Sequence, residues 1–373
     1  MCDSYEILRD ISKRGKERPW IEHKSNSMLL SESFSRLDKH NKAENIYNCG
    51  SFLKFNICPQ GHEKRLSWAN FCRVRLCPMC SWRRSLLIAH QVKSIAHEAS
   101  QQEKLRWLFL TLTVKNCEGE NLMDTINHLM KSFHRLSKRK VFNDSSIRGW
   151  FRAFEVTRNF HDGSYHPHFH VLLAVKPSYF NGKSKSYMTT TEWGKLWKSC
   201  LKVDYDPIVH IRVVKNNRNQ EKELKILQNK GIQLSNNGTF ELSGAAVAEM
   251  AKYSVKSSDY LIYNEYEKKG SKYIPVVESG IDEETTDEVV QTLDEALARR
   301  RLIAFGGLMK EVWERLRIEG KMVDAESEEV NLVHVNEDTK CQCSVCGSNM
   351  LEELYSWLPE YKNYIKKENI LNT

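Results

Sequence analysis

The chain has 373 residues, with 56 Lys and Arg against 48 Asp and Glu and a net charge of +8, which suits a nucleic-acid partner without demanding one. Its length predicts two or three units and at least one substantial core. The 11 cysteines are too sparse for a disulfide scaffold, no secretory leader pattern opens the chain, and the longest apolar run, 107–114, is too short for a bilayer span, so a cytoplasmic protein with no membrane role is expected.

Residues 1–45 are polar and charged, with a helical piece at 29–37, and are read as an N-terminal arm. Cysteines concentrate over 47–80, and the spacing of Leu86, Leu87, Ala89, Val92 and Ile95 predicts an amphipathic helix over 81–98. The run at 107–114 reads as a buried strand and 122–140 as a helix. Segments 150–157 and 166–175 read as a hairpin about the turn dipeptide Asp162-Gly163. A turn centred there sets Glu155 opposite His170 and diagonal to His168. Thr189 and Glu192 spell a capping box for a helix striped with Trp193, Leu196, Trp197 and Cys200, and 208–214 is a further strand. Residues 215–240 form a polar excursion, 245–257 a helix, and 293–305 with 308–318 a helical pair broken at Gly306-Gly307. Helices on a sheet of at least four strands give an α+β fold with the histidine hairpin central. Four regions are expected: the arm at 1–45, a zinc-binding module with a basic helix at 46–100, a domain built on the histidine hairpin at 101–265, and a helical, acidic C-terminal extension at 266–373.

Three constellations carry chemistry. Side chains alternate along a strand, so His166, His168 and His170 share one face while Phe169 and Val171 take the other. Three desolvated imidazoles side by side are costly unless something binds them. With Glu155 on the same face, the donors suit Mn²⁺ or Mg²⁺ with open positions for substrate oxygens, and zinc is also compatible. Glu249 and Tyr253 lie four apart on the helix at 245–257 and so share a face. A phenol attacks a phosphodiester poorly at neutral pH unless a cation assists, and Lys256, nearly one turn on, is a candidate for that cation. Tyr260, off that face, reads as structural.

The third constellation is the knuckle Cys77-Pro78-Met79-Cys80. Cys72 and Cys49 complete a four-thiolate zinc set, with Cys58 and His62 as substitutes that spacing does not decide against. Arg73, Arg75, Arg83 and Arg84 around it form a candidate phosphate-contacting patch. Cys341, Cys343 and Cys346 spell a second knuckle lacking an obvious fourth ligand, although His334 is available. No P-loop is present, since Pro177 stands where Gly182-Lys183-Ser184 would need its first glycine, so the chain does not unwind DNA with ATP.

FLTLTVKN at 109–116, HPHFHVLLAV at 166–175 and EMAKYSVKSSDYL at 249–261 resemble the three signature motifs of plasmid rolling-circle replication initiators of small Gram-positive plasmids, in the HUH endonuclease superfamily. FCRVRLCPMCSWRR at 71–84 resembles that family's cysteine motif. The resemblance spans 49–261 and implies an antiparallel, ferredoxin-like or RRM-like nuclease core. It makes Tyr253 the nicking nucleophile, which takes the 5′ phosphate and frees a 3′ hydroxyl at an origin hairpin or single strand. It assigns the catalytic ion to His168, His170 and Glu155, with His166 as their support, and hydrolytic termination to Glu249. It further implies a host helicase, single-strand-binding protein and DNA polymerase as partners. Rival readings are a related relaxase or single-strand transposase, a histidine-triad nucleotide hydrolase with His168 as nucleophile, and a non-enzymatic zinc DNA-binding regulator.

Overall fold

The computed structural model describes residues 6–12, 15–143, 146–181, 187–214, 254–270, 272–335 and 341–367. In chain order these form α1 (Trp20–Arg36), α2 (His40–Asn48), β1 (Phe52–Ile57), β2 (Lys64–Ala69), α3 (Pro78–Gln102), β3 (Arg106–Thr113), α4 (Gly119–Ser137) and α5 (Lys140–Asn143). There follow β4 (Ile147–Arg158), β5 (Tyr165–Val175), α6 (Thr190–Leu201), β6 (Val209–Val213), β7 (Tyr266–Lys269), β8 (Lys272–Pro275), α7 (Glu283–Leu297), β9 (Ile303–Gly307), α8 (Leu308–Ile318), β10 (Leu351–Leu358) and β11 (Asn363–Lys367). The fold is α+β with antiparallel sheets, as expected. No described helix is long and apolar enough to cross a membrane.

The chain divides into two units, one of Met1–Arg84, Lys256–Asp294 and Glu328–Thr373, the other of Ser85–Val255 and Glu295–Ser327. In the first unit a sheet of order β11-β10-β1-β2 joins the two ends of the chain, because β1 pairs antiparallel with β10 from Phe52↔Ser356 to Ile57↔Leu351. Its core gathers Trp20, Phe34, Phe55, Tyr355 and Tyr364. The segment expected as an arm carries α1 and α2, and Lys24 of α1 is buried, donating to the carbonyl of Cys49 at 3.0 Å and to Ser51 Oγ at 2.9 Å. Tyr260 is buried with its hydroxyl donating to the Leu76 carbonyl, a structural phenol.

The second unit holds a five-stranded sheet of order β6-β3-β5-β4-β9, so the histidine strand β5 is central. β5 is buried at nearly every position, on the histidine face as well as the apolar one. Phe169 packs on Phe133 of α4 and on Phe154 of β4, leaving the opposite face for the histidines. The capping box on α6 forms as its spelling implies, with Glu192 N donating to Thr189 Oγ1 and Thr189 N to Glu192 Oε2, and Trp193, Trp197 and Cys200 are buried.

Several expectations are corrected. Residues 303–307 pair with β4 as a strand and are not helical. The β-branched Ile303 suits extended chain, and Gly307, at φ +55, turns the chain into α8. The stretch 266–373, expected as helical, also contains β7 to β11. In the hairpin, Glu155 pairs with His168 and Ala153 with His170, a register two residues away from the expected one. The connection is longer than a two-residue turn: Asn159 N donates to the Ser164 carbonyl, and Asp162 Oδ1 accepts from Ser164 N. The excursion at 215–240 and the Glu249–Tyr253 part of the expected helix lie outside the described residues.

Gly149 fixes how closely α8 lies on β4. A Cβ there would sit 2.8 Å from Met309 N and 3.0 Å from the Gly306 carbonyl, both backbone atoms that cannot rotate away. Gly149→Ala is therefore expected to destabilise the second unit by about 1–3 kcal/mol, read as a lowered midpoint in thermal denaturation.

Candidate active site and metal centres

Strand pairing assembles a buried donor triad. Glu155 on β4 and His168 and His170 on β5 are only 3%, 7% and 6% exposed, which removes solvent as a partner for a carboxylate and two imidazoles. His168 Nε2 lies 3.2 Å from His170 Nε2. Glu155 Oε2 lies 2.9 Å from His170 Nε2 and 3.5 Å from His168 Nε2. An octahedral divalent ion with bonds of about 2.1 Å spaces its neighbouring ligand atoms by about 3.0 Å, and a tetrahedral zinc by about 3.4 Å. The three observed separations straddle those values.

Bonds behind the triad aim it. His168 Nδ1 donates to the His166 carbonyl at 3.0 Å, so in the neutral ring Nε2 carries a lone pair toward Glu155 and His170. His170 Nδ1 meets Thr111 Oγ1 on β3 at 3.4 Å. Converging lone pairs beside a carboxylate repel unless a proton or a cation lies between them, so the donor set fits a divalent ion on its own chemistry. His166 turns its Nδ1 to Asn116 Oδ1 at 2.8 Å, and burial, reinforced by His168, holds its imidazole below the usual value.

Thr111 and Asn116 carry no role in the sequence reading, although both lie in FLTLTVKN. For Thr111 the signal was available, since it pairs with His170 across β3 and β5 and so shares the histidine face, whereas Asn116 lies beyond the end of β3. Asn116→Ala is expected to weaken Mn²⁺ binding about tenfold, measured by calorimetric titration, because it releases the His166 ring, which stacks on that of His168 with centroids 5.0 Å apart.

Tyr253 and Glu249 lie outside the described residues. Ser254, which follows Tyr253 in the chain, is described: its carbonyl accepts from Val156 N at 2.8 Å, beside Glu155 on β4. The helix expected through 257 is not continued there. Lys256 has extended backbone, φ −93 and ψ 154, and starts a short 3₁₀ turn at Ser257–Asp259. The helical spacing that made Lys256 a neighbour of the tyrosine is thus absent, and Asp259, whose carboxylate accepts from Lys256 N, supplies the reason for the break.

In the first unit Cys49, Cys72, Cys77 and Cys80 converge, their sulfurs all within 4.8 Å of one another. Cys49 Sγ is 3.4 Å and Cys72 Sγ 3.7 Å from Cys80 Sγ, close to the roughly 3.8 Å edge of a tetrahedral zinc tetrathiolate. Two backbone amides aim at the sulfurs, Cys72 N at Cys49 and Arg73 N at Cys80, the second made possible by φ +61 at Arg73. Burial, with hydrogen bonds from the other thiols, pushes the Cys49 thiol well above its usual value, so a cation is what would let it ionise. The choice that spacing leaves open falls to Cys49, since Cys58 and His62 lie in another cluster.

The arginine patch is corrected in part. Arg83 and Arg84 are 2% and 3% exposed, too buried to meet a phosphate. Arg83 donates from Nε to the Leu332 carbonyl and from Nη2 to that of Val333, and its guanidinium lies over the rings of Trp20 and Trp82. Burial lowers its pKa to about 10. Arg73 is exposed but spends Nε on the Val330 carbonyl, and Arg75 is half-buried.

The family model described as "Replication protein" matches residues 63–365. The chain belongs to that family. A "Protein rep" of Bacillus amyloliquefaciens is 37% identical over 98% of both chains. A second, from a Bacillus species, is 40% identical over 74% of this chain and 81% of its own. A third, from Streptococcus pneumoniae, is 38% identical over 84% of each. The resemblance drawn from four motifs is thereby borne out at the level of a plasmid replication initiator. A solved aminopeptidase PepT from Bacillus cereus aligns at 14% identity with a TM-score of 0.19, a likeness that carries no argument.

Proposed function

We propose that this replication protein starts rolling-circle replication of a plasmid by nicking one strand at the double-strand origin, with Tyr253 as nucleophile and an HUH-type site as the catalytic centre. The observation that carries the reading is the convergence of Glu155, His168 and His170 on the two central strands of an antiparallel sheet, in a member of a replication family. A divalent ion held by the three would polarise the scissile phosphate and stabilise the charge gathering on its oxygens. The Tyr253 hydroxyl gives up its proton to solvent as its oxygen forms the new bond to phosphorus, the bond to the 3′ oxygen breaks, and that oxygen takes up a proton from solvent to become the primer hydroxyl. The 5′ phosphate stays on the phenol oxygen. The anchoring of Ser254 beside Glu155 supports Tyr253 as the attacking group.

Glu249 activates water to release the strand at termination, a role that leaves nicking untouched. The metal-bearing cysteine cluster is structural, with zinc as its ion. Having no motor motif, the protein depends on a host helicase, single-strand-binding protein and polymerase in the cytoplasm. Membership of a replication family favours this reading over the transposase, the hydrolase and the non-enzymatic regulator.

The test is a labelled origin hairpin incubated with Mn²⁺ and run under denaturing conditions. Wild-type protein is expected to yield a covalent adduct, and Glu249→Ala to accumulate that adduct while hydrolytic release falls about 10²-fold or more. Release by Glu249→Ala at the wild-type rate would remove Glu249 from the mechanism, and absence of any adduct would remove the covalent route.

A further inference from the structure

The sheet of the first unit brings together two half-knuckles that are far apart in sequence. β1 ends at Ile57 opposite Leu351, where β10 begins, so the loop after β1 faces the loop before β10. The first loop carries Cys58 and His62, the second Cys343 and Cys346, and one ligand atom from each lies within 4.8 Å of the others. We infer that Cys58, His62, Cys343 and Cys346 form a second structural zinc site, distinct from the tetrathiolate cluster, which staples the C-terminal strand pair to the N-terminal sheet.

The distances suit the ion. Cys58 Sγ is 3.6 Å from Cys346 Sγ and 3.7 Å from His62 Nδ1, and Cys343 Sγ is 3.9 Å from the same nitrogen. A tetrahedral zinc with three sulfurs and one nitrogen requires edges of about 3.5–3.8 Å. Both loops fold as tight turns that place the two donors of each half together. In one, Gly61 N donates to the Cys58 carbonyl, with φ +74 at Gly61. In the other, Gly347 N donates to the Cys343 carbonyl, with φ +71 at Gly347, and Val345 N points at Cys343 Sγ at 3.4 Å, the amide-to-sulfur bond that steadies a thiolate. Glu63 joins the halves independently of any ion, its carboxylate accepting from Ser344 N at 3.0 Å and from the Ser344 hydroxyl. Cys58 and Cys343 are buried, and Cys341 lies outside the cluster, so the fold separates two ligands, Cys343 and Cys346, from a bystander that sequence alone grouped with them.

The energetic role follows from chain connectivity. β10 and β11 are separated from β1 by most of the chain, so closing that loop costs entropy which a bond at the strand ends offsets. His334, weighed as a fourth ligand, is not needed, since His62 supplies the nitrogen.

The experiment uses full-length protein purified under a thiol reductant, with zinc counted by plasma mass spectrometry. Cys343→Ser/Cys346→Ser is expected to lose one zinc per chain relative to wild type, Cys72→Ser/Cys77→Ser to lose a different one, and the two losses to add. His62→Cys retains the full count, and after cobalt exchange gains thiolate charge-transfer intensity because a fourth sulfur joins the site. In wild-type protein Cys341 should react with iodoacetamide at once, whereas Cys58, Cys343 and Cys346 react only after a chelator is added. An unchanged zinc count in the Cys343→Ser/Cys346→Ser protein, immediate alkylation of all four thiols, or recovery of a Cys58–Cys346 disulfide from reduced protein would each overturn the assignment.

Discussion

Tyr253→Phe is expected to cut origin nicking by at least about 10⁴-fold and to leave no denaturant-resistant adduct, while binding to the origin hairpin, measured by gel shift, stays within about twofold. The substitution removes one oxygen and keeps the ring, so packing and electrostatics change little. What disappears is the atom that becomes the ester oxygen. Water could replace it in principle, but a water molecule lacks the covalent tether of a phenol to the chain, a difference that effective-molarity arguments put at several orders of magnitude, about 10⁵ or more. Residual nicking without an adduct would mean that the site activates water directly. An adduct in the phenylalanine protein would move the nucleophile elsewhere, with His168 the first to examine.

His170→Ala is the second large effect. It deletes the nitrogen that stands 2.9 Å from Glu155 and 3.2 Å from His168, leaving two donors where the proposed ion takes three. Nicking should fall about 10³-fold or more, as loss of Lewis-acid assistance worth several kcal/mol requires. A misfolded protein is not the expected cause. Two imidazoles and a carboxylate confined in a buried site repel one another when no cation is present, so the metal-free variant should melt at or above the temperature of metal-free wild type. At an Mn²⁺ concentration about a hundred times Kd, wild type should gain about 2.7 kcal/mol and the variant almost nothing. A calorimetric scan with and without Mn²⁺ separates the two, and an equal shift in both would place the ion elsewhere.

What the sequence disclosed and what it hid divide along physical lines. The histidine face was legible because side-chain direction in a strand has period two, and parity survives a wrong turn. The hairpin register was misjudged by two residues, yet Glu155 stayed on the histidine face. A slip of one would have put it on the Phe169 side. The capping box on α6 and the tetrathiolate knuckle were legible because their partners lie within a few residues or follow a recognised spacing.

Long-range pairing was not legible. Nothing local in Cys58 and His62 or in Cys343 and Cys346 says that the β1–β10 register will bring them together, so each half read as an incomplete site. Arg83 and Arg84 depart from the expectation for another reason: charge suggests exposure, and both are buried. The apolar stripe of α3 through Leu87, Ile88, Val92 and Ile95, extended back by one turn, lands on Arg83 and Arg84, which helical periodicity could have revealed. Lys256 failed similarly, because a helix was carried past the point where Asp259 captures the backbone amide.

One measurement shows directly which atom takes the DNA. Wild-type protein is reacted with an origin oligonucleotide and Mn²⁺, digested with nuclease and trypsin, and the nucleotide-bearing peptide is sequenced by mass spectrometry. A 5′-phosphonucleotide is expected on Tyr253, formed only when the divalent ion is supplied and absent from His170→Ala, and this is the result that a metal-assisted tyrosine nucleophile requires. A nucleotide on His168 or on any other residue, or the same modified peptide at full yield in the presence of chelator, would contradict it.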